Sequence, residues 1–415
     1  MYEVVRDPLW DNIALDRTAV ALLDTPTVQR LRYVRQLGHA FLVYPGATHS
    51  RFEHALGAYH LTTRALAALS TEPANQAGLD PDDCRAVTLA ALLHDIGHYP
   101  FSHALEEAGF PSHEALGTAK LRDGELGQVL RDAGGDALVE EIGLLIRGRS
   151  ASPLKGLISG TLDLDKIDYL SRDARMCGVP YGTVDVDRLL ASLTIVTCDG
   201  VDQVGIHEKG VSALESLLFA KYQMYRNVYW HHAVRSATCM FKRAVRDAVR
   251  GGTVSVGVIA ELTDDAFMQR LIEQDRSRLA LAVRDRRLFK RALDLPASDV
   301  PGAQEWVTDD TDLLELVENA LARSAGLEPG ELLLDFPARR NMLAVDLPLR
   351  LRDHRVERLT SEGRAGHLGL PRIAEELYRS AQRLRVFVAR PVNLAVDQIT
   401  SLVSSPAPEV RARFG

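Results

Sequence analysis

An apolar run from Val87 closes at Leu93, and the next residues are His94 and Asp95, followed by Gly97-His98 and Ser102-His103. Gly97 and Pro100 are poor helix-interior residues, so the spacing predicts a helix that ends by presenting an imidazole and a carboxylate side by side. Burying that pair is costly unless the carboxylate meets a cation, and a divalent ion held by neutral imidazole and carboxylate supplies one. The ordinary alternative is a neutral His hydrogen-bonded to a neighbouring Asp. Of the 13 histidines, eight fall between His39 and His113, and this crowding favours metal or phosphate chemistry. His54, His94, His98, His103 and His113 are the candidates. His39, His49 and His60 have no spacing argument and read as ordinary polar residues.

Two histidines and one aspartate make an incomplete metal shell. The segment Leu162 to Asp173 offers a second carboxylate source: at helical spacing Asp165, Tyr169 and Asp173 share one face, while Ile167, Leu170 and Ala174 mark an apolar one. Asp168 and Arg172, four apart, read as an exposed charge pair.

The elements that must carry these residues are those of a globular chain. Its 415 residues are 46% hydrophobic and 25% charged, which excludes disorder, and a formal net charge of -7 argues against a broad nucleic-acid-coating surface. Cys84, Cys177, Cys198 and Cys239 form no CxxC pair, so neither a disulfide framework nor a zinc knuckle is expected. Met1 to Leu15 has no apolar signal core and no later run reaches membrane-spanning length; a cytoplasmic protein without a membrane partner is expected. Residues 1–15 read as an extended or turn segment. Thr25-Pro26 reads as a helix start, with Val28, Leu31 and Leu37 on its buried face. Phe52 to Leu69 suits a long helix with His54 near its start, and Gly134-Gly135 marks a break. Leu193–Cys198 and Gln203–His207 flank Asp199-Gly200 as a hairpin. Ser212 to Arg250 reads as one helical tract, whose Lys242, Arg243, Arg246 and Arg250 stripe suits a solvated face, with nucleic-acid contact as the minority reading. Further on, helices are expected near 262–274, 277–294 and 311–324, with strands in 332–351 and 384–389. The fold class is mainly α: a helical core over residues 1–295 with a small β-hairpin, and a C-terminal α/β region over 296–415.

The segments Asp24-Thr25-Pro26 with Gln29-Arg30-Leu31-Arg32, Gln36-Leu37-Gly38, Tyr44 to His54, Leu93 to His103 and Asp163 to Asp173 resemble, in order, the motifs of HD-superfamily phosphohydrolases, and within them the deoxynucleoside triphosphate triphosphohydrolase branch. The resemblance covers roughly residues 1–240. The motifs start almost at Met1, so no SAM-like module is expected ahead of them.

That resemblance implies His54, His94, Asp95 and Asp165 as ligands of manganese, iron, magnesium or a mixed pair. It implies Arg51 and Lys166 as phosphate-neutralising groups, with His98, His103 and His113 contacting phosphates and assisting proton transfer. Glu106 stands where the family has a shorter Asp beside a catalytic histidine; otherwise it would be a solvated helix residue. Gln36, Leu37, Tyr169 and Asp173 would surround the sugar, with Tyr229 and His231 on its sugar- and base-facing side. Lys221 replaces an arginine expected at the base. Asp24, Arg32, Arg286 and Lys290 resemble residues that hold a regulatory nucleotide between subunits, although Glu3, Arg6 and Asn12 depart from that pattern. The implied protein is a homo-oligomer, dimer or tetramer, that hydrolyses deoxynucleoside triphosphates to deoxynucleoside and triphosphate. Two alternatives stay open: an HD phosphatase or phosphodiesterase acting on other nucleotides or phosphate esters, and a non-catalytic nucleotide sensor or nucleic-acid-binding module.

Overall fold

The structure, a computed structural model, describes residues 3–72, 75, 79–274, 277–337, 343–360 and 369–414. Strands β1 (Glu3–Asp7) and β2 (Asp11–Leu15) make an antiparallel hairpin where the sequence suggested only an extended segment; Ile13 and Leu15 are buried by it. Helix α1 (Arg17–Leu23) follows, capped by Asp16. The helix expected at Pro26 is a single turn, Pro26–Gln29, that tightens into a 3-10 turn over Arg30–Tyr33. Val28 and Leu31 are buried as expected, whereas Leu37 lies beyond the turn.

The helical core is α2 (Arg51–Ser70), α3 (Pro81–Leu93), α4 (His113–Lys120), α5 (Gly124–Ile146) and α6 (Leu164–Cys177). Helix α2 packs on α3 and α6, and α5 on α3. Leu61, Leu69, Leu92, Leu130, Ile142, Ile167 and Leu170 are fully buried among them, the apolar stripes that drive such packing. The expected break at Gly134-Gly135 is a kink within α5, with left-handed φ at Gly135. The long tract after residue 211 is two helices, α7 (Val211–Met224) and α8 (His232–Arg250), separated by a π-turn over Tyr225–Tyr229. His231 leaves the helical region and its Nδ1 accepts from Ala233 N, starting α8 afresh. Helix α9 spans Asp264–Gln274.

Strands β3 (Leu193–Cys198) and β4 (Val201–His207) form the expected hairpin, with Asp199 and Gly200 both at positive φ in its turn. Strand β5 (Lys290–Pro296) replaces the second half of the helix expected over 277–294, which ends at Arg284; its bulge between Arg291 and Leu293 turns Leu293 inward. Helix α10 (Thr311–Ser324) is followed by β6 (Leu332–Asp335), β7 (Leu347–Arg350), β8 (Val356–Leu359) and β9 (Arg383–Val388). The sheets run β3-β4-β7-β8 and β5-β9-β6. Residues 295 and 296, flanking the division expected from sequence, both lie inside β5, and β7 joins β4 in parallel.

The basic stripe of α8 is mostly covered, with only Arg250 of its four cations exposed. Arg243 is buried and meets Asp247, Glu315 and Glu318, Arg246 meets Glu318, and Arg250 donates to Glu315 at 2.6 Å. These pairs seal α8 against α10, so the charges that suggested a nucleic-acid surface are consumed within the chain. No helix of the described residues is long and apolar enough to cross a membrane.

Candidate active site

The site begins with a helix cap. Ser50 accepts from Glu53 N while Glu53 Oε2 accepts from Ser50 N at 2.6 Å, a reciprocal capping box. It fixes the start of α2, so Arg51 and His54 project one turn apart on the same face. Asp80 and Pro81 start α3, whose last turn hands His94 and Asp95 to the same place. Asp163 caps α6 and leaves Asp165 in its first turn.

These elements bring four side chains together. His54 Nε2 lies 3.2 Å from His94 Nε2, 2.7 Å from Asp165 Oδ1 and 3.7 Å from Asp95 Oδ2. His94 Nε2 lies 3.3 Å from Asp95 Oδ1 and 3.5 Å from Asp165 Oδ1. The far nitrogens decide what these rings offer. His94 Nδ1 donates to Ala91 O at 2.8 Å, since a carbonyl only accepts, and His54 Nδ1 donates to Asp168 Oδ2 at 2.7 Å. With Nδ1 so engaged, it is the Nε2 atoms, beside two carboxylates, that would turn lone pairs to a divalent cation in place of a proton. Burial disfavours charge on His54, yet Asp165 and Asp168 overrule it and push its pKa up to about 10. A field that binds a proton so firmly there fits a metal ion in its place.

Asp168 and Arg172 depart from the exposed pair expected. Both are fully buried, and Arg172 bridges Asp168 to Asp7 of β1, 2.9 Å from an oxygen of each. Burial would raise the Asp168 pKa, but Arg172 and His54 hold it down at about 2. Trp10 Nε1 donates to the same carboxylate. Gly57 makes room: a Cβ there would stand 1.9 Å from Asp168 Oδ1.

Beside this cluster stand the groups expected on phosphate. Arg51 is buried and donates to Asp95 Oδ2 at 2.6 Å, to Ser102 Oγ and to Gln36 O. Lys166 is tethered to Asp163 and to Gly160 O. Glu106 is no solvated residue: its two oxygens receive His103 Nδ1 and His113 Nδ1, each at 2.6 Å. Burial works against its ionisation, but these two imidazoles carry its pKa far below the carboxylate range. Glu106 therefore fixes the orientation of both rings through their Nδ1 atoms. His98 stacks on His113 with centroids 3.8 Å apart, and its Nε2 lies 3.1 Å from Asp95 Oδ1 outside hydrogen-bonding geometry. Burial, then Arg51 and His113, hold the His98 pKa well below the ordinary histidine value. Gly97 brings His113 this close, because a Cβ there would stand 2.0 Å from His113 O.

The residues expected on the sugar side lie along the same cleft, a cavity of about 580 Å³ lined by Gln36, Leu37, Tyr169, Asp173, Lys221 and Tyr229 together with His94, Asp95, Asp165 and Arg51. Asp173 is buried, with Tyr229 Oη donating to Oδ2 at 2.7 Å and His49 Nε2 at 2.7 Å from Oδ1. His49, read as an ordinary polar residue, therefore belongs to the site; its one visible signal was its place just ahead of the α2 cap. Gln36 Oε1 is buried without a partner. His231 does not line the cleft; it caps α8 instead. Of the four regulatory candidates, Asp24 and Lys290 are exposed, Arg32 covers the Phe52 ring at 3.6 Å, and Arg286 Nε donates to Leu42 O at 2.7 Å. Arg32 and Arg286 thus hold partners within the chain.

Comparison with known proteins agrees with this geometry. The HD-domain profile matches residues 51–173, and the profile of the HD associated region matches 184–392. The chain belongs to the HD phosphohydrolase superfamily, in the group that carries this associated region, and that membership supports a metal-dependent hydrolase. An uncharacterized protein of Methanocaldococcus jannaschii is 34% identical over 318 residues, covering 76% of this chain and 65% of that protein. The human deoxynucleoside triphosphate triphosphohydrolase SAMHD1 is 27% identical over 268 residues, covering 55% of this chain and 42% of that protein. The chain thus spans less than two thirds of the length of the curated relatives it matches. A hypothetical protein from Aquifex aeolicus superimposes with a TM-score of 0.71 at 25% identity, covering 97% of this chain and 99% of that one. A phosphohydrolase from Bacteroides thetaiotaomicron shares the fold, with a TM-score of 0.73 at 22% identity over 94% of this chain and 100% of that one.

Proposed function

We propose that this chain hydrolyses deoxynucleoside triphosphates to deoxynucleoside and intact triphosphate. The observation that carries the reading is one cleft with three chemistries along it: His94, Asp95 and Asp165 with the buried His54 against them, the Glu106-held histidines, and the Tyr169, Asp173 and Tyr229 wall. A divalent ion held by those four ligands would polarise a phosphoryl oxygen and acidify a water; imidazole and carboxylate together accommodate manganese, iron or magnesium.

The chain's own groups supply the rest. Arg51 and Lys166 oppose the charge that develops on the phosphates. His103 and His113, oriented by Glu106, line the cleft where they would move a proton to or from the phosphate chain. Asp173, fixed by His49 and Tyr229, accepts from the 3′-hydroxyl, and Tyr169 fills the space a ribose 2′-hydroxyl would need. Attack at the α-phosphorus then leaves triphosphate whole. Homo-oligomer formation and activation by a second nucleotide belong to the same proposal.

The test is product analysis by chromatography and mass spectrometry after incubation with each dNTP and manganese, with and without a second nucleotide. Nucleoside plus intact triphosphate is expected. Orthophosphate from other esters, with dNTPs untouched, would move the substrate; tight binding without turnover under any metal would make the chain a sensor.

A further inference from the structure

The HD profile begins at residue 51, yet the hydrogen bonds that orient the metal-ligating His54 do not stop there. Asp168 accepts four bonds: His54 Nδ1 at 2.7 Å, Arg172 Nε at 3.0 Å, Arg172 Nη2 at 2.9 Å, and Trp10 Nε1. That uses every lone-pair position a carboxylate has. Arg172 also donates to Asp7, from Nη1 to Oδ2 at 2.9 Å and from Nη2 to Oδ1 at 3.4 Å. Asp7 Oδ1 in turn accepts from Leu9 N and Trp10 N, at 2.9 and 2.8 Å, which shapes the hairpin turn and places the Trp10 indole. Asp7, Arg172, Asp168 and His54 are all buried.

We propose that Asp7 and Trp10, on the N-terminal hairpin, are positioning residues of the metal centre, setting the orientation and tautomer of His54 through Arg172 and Asp168. The inference rests on the metal-dependent reading of the site. A buried ion-pair chain is a poor way to gain stability, because desolvation cancels most of the Coulombic gain and apolar packing does as well. A chain with each of these bonds made, ending on a ligand imidazole, instead fixes geometry. Carboxylate partners of ligating histidines are known to control metal affinity in this manner. The hairpin is thus a working part of the site, although no residue of β1 or β2 is among those lining the cleft.

The test compares manganese affinity by titration calorimetry in the wild-type protein, Asp7→Asn, Trp10→Phe and the exposed control Arg6→Ala. Trp10→Phe keeps an aromatic side chain and removes the N–H donor along with part of the indole's bulk. Expected is an affinity about 10- to 100-fold weaker for Asp7→Asn and Trp10→Phe, an unchanged Arg6→Ala, and turnover largely restored at saturating manganese. A ¹⁵N spectrum of the histidines should show the His54 Nδ1–H signal shifted or exchange-broadened in the two variants alone. If Asp7→Asn fails to fold, Trp10→Phe decides. Wild-type affinity in Trp10→Phe would overturn the positioning role while leaving the metal site standing. Absence of manganese binding in the wild type would overturn the metal reading itself.

Discussion

His49 Nε2 lies 2.7 Å from Asp173 Oδ1, with both side chains buried. Since Tyr229 Oη holds the other oxygen, Asp173 cannot rotate away from the cleft without losing a partner. His49→Ala is expected to raise KM for a deoxynucleotide roughly tenfold with a smaller change in kcat, the mark of a loosened binding group. Steady-state kinetics checks this, and an unchanged KM would separate Asp173 from the sugar.

Tyr169 lines the cleft beside that carboxylate. Replacing it with alanine opens space where a 2′-hydroxyl would sit. Tyr169→Ala is expected to reduce the preference for deoxy- over ribonucleoside triphosphates by about tenfold or more, since a steric gate of this size is worth on the order of 1–3 kcal/mol. Unchanged discrimination in a competition assay would remove Tyr169 from the sugar role.

Asp165→Ala removes a carboxylate that stands against both histidines of the proposed metal site, 2.7 Å from His54 and 3.5 Å from His94. The expected result is loss of bound metal and of turnover with a helix content close to wild type. Metal analysis and circular dichroism check it together. Surviving activity would mean that the first shell is assigned wrongly.

Gly57→Ala would drive a methyl group into Asp168, with Oδ1 at 1.9 Å and Arg172 Nη2 at 2.6 Å. Either α2 and α6 separate or the buried pair breaks. The expected cost is at least the roughly 1–3 kcal/mol of an overpacked core, read as a lower melting temperature, with weaker metal binding alongside it.

His39 is buried between Phe101 and Phe241, and neither ring nitrogen has a partner. Burial, helped by Arg35, pushes its pKa down to about 3. The unfolded chain, with an ordinary histidine near 6.5, binds the proton first. Stability is therefore lost as pH falls from about 6.5 toward 3, at about 1.4 kcal/mol per unit for this one group. His39→Leu should flatten that part of the acid-denaturation profile; an unchanged slope would show that another group sets it.

Of the clustered side chains, His94 and Asp95 stood out in the sequence beside a helix end and Asp165 on a helix face, while the four together came with the family resemblance. What surrounds them was not legible. Asp168 and Arg172 read as exposed because i,i+4 spacing says nothing about which face is covered, and the cover comes from a hairpin more than a hundred residues upstream. His49 and Asp173 are similarly far apart in the chain, so neither names the other. The arginines of α8 misled for the same reason: their partners, Glu315 and Glu318, arrive from a later helix. Strand β5 was hidden because Lys290 to Pro296 carries too few apolar residues for a period to emerge before its partner β9 is known.

The parallel pairing of Ile206 in β4 with Leu349 in β7 bears on biosynthesis. The hairpin of β3 and β4 emerges from the ribosome long before the strand that completes its sheet, and its open edge must wait through the synthesis of α7, α8, α9 and α10. Contacts so distant in sequence close slowly, and unpaired edges invite association with other chains meanwhile. A nascent chain stalled before β7 would carry its catalytic helices and an uncovered strand, the species on which chaperone capture should be greatest.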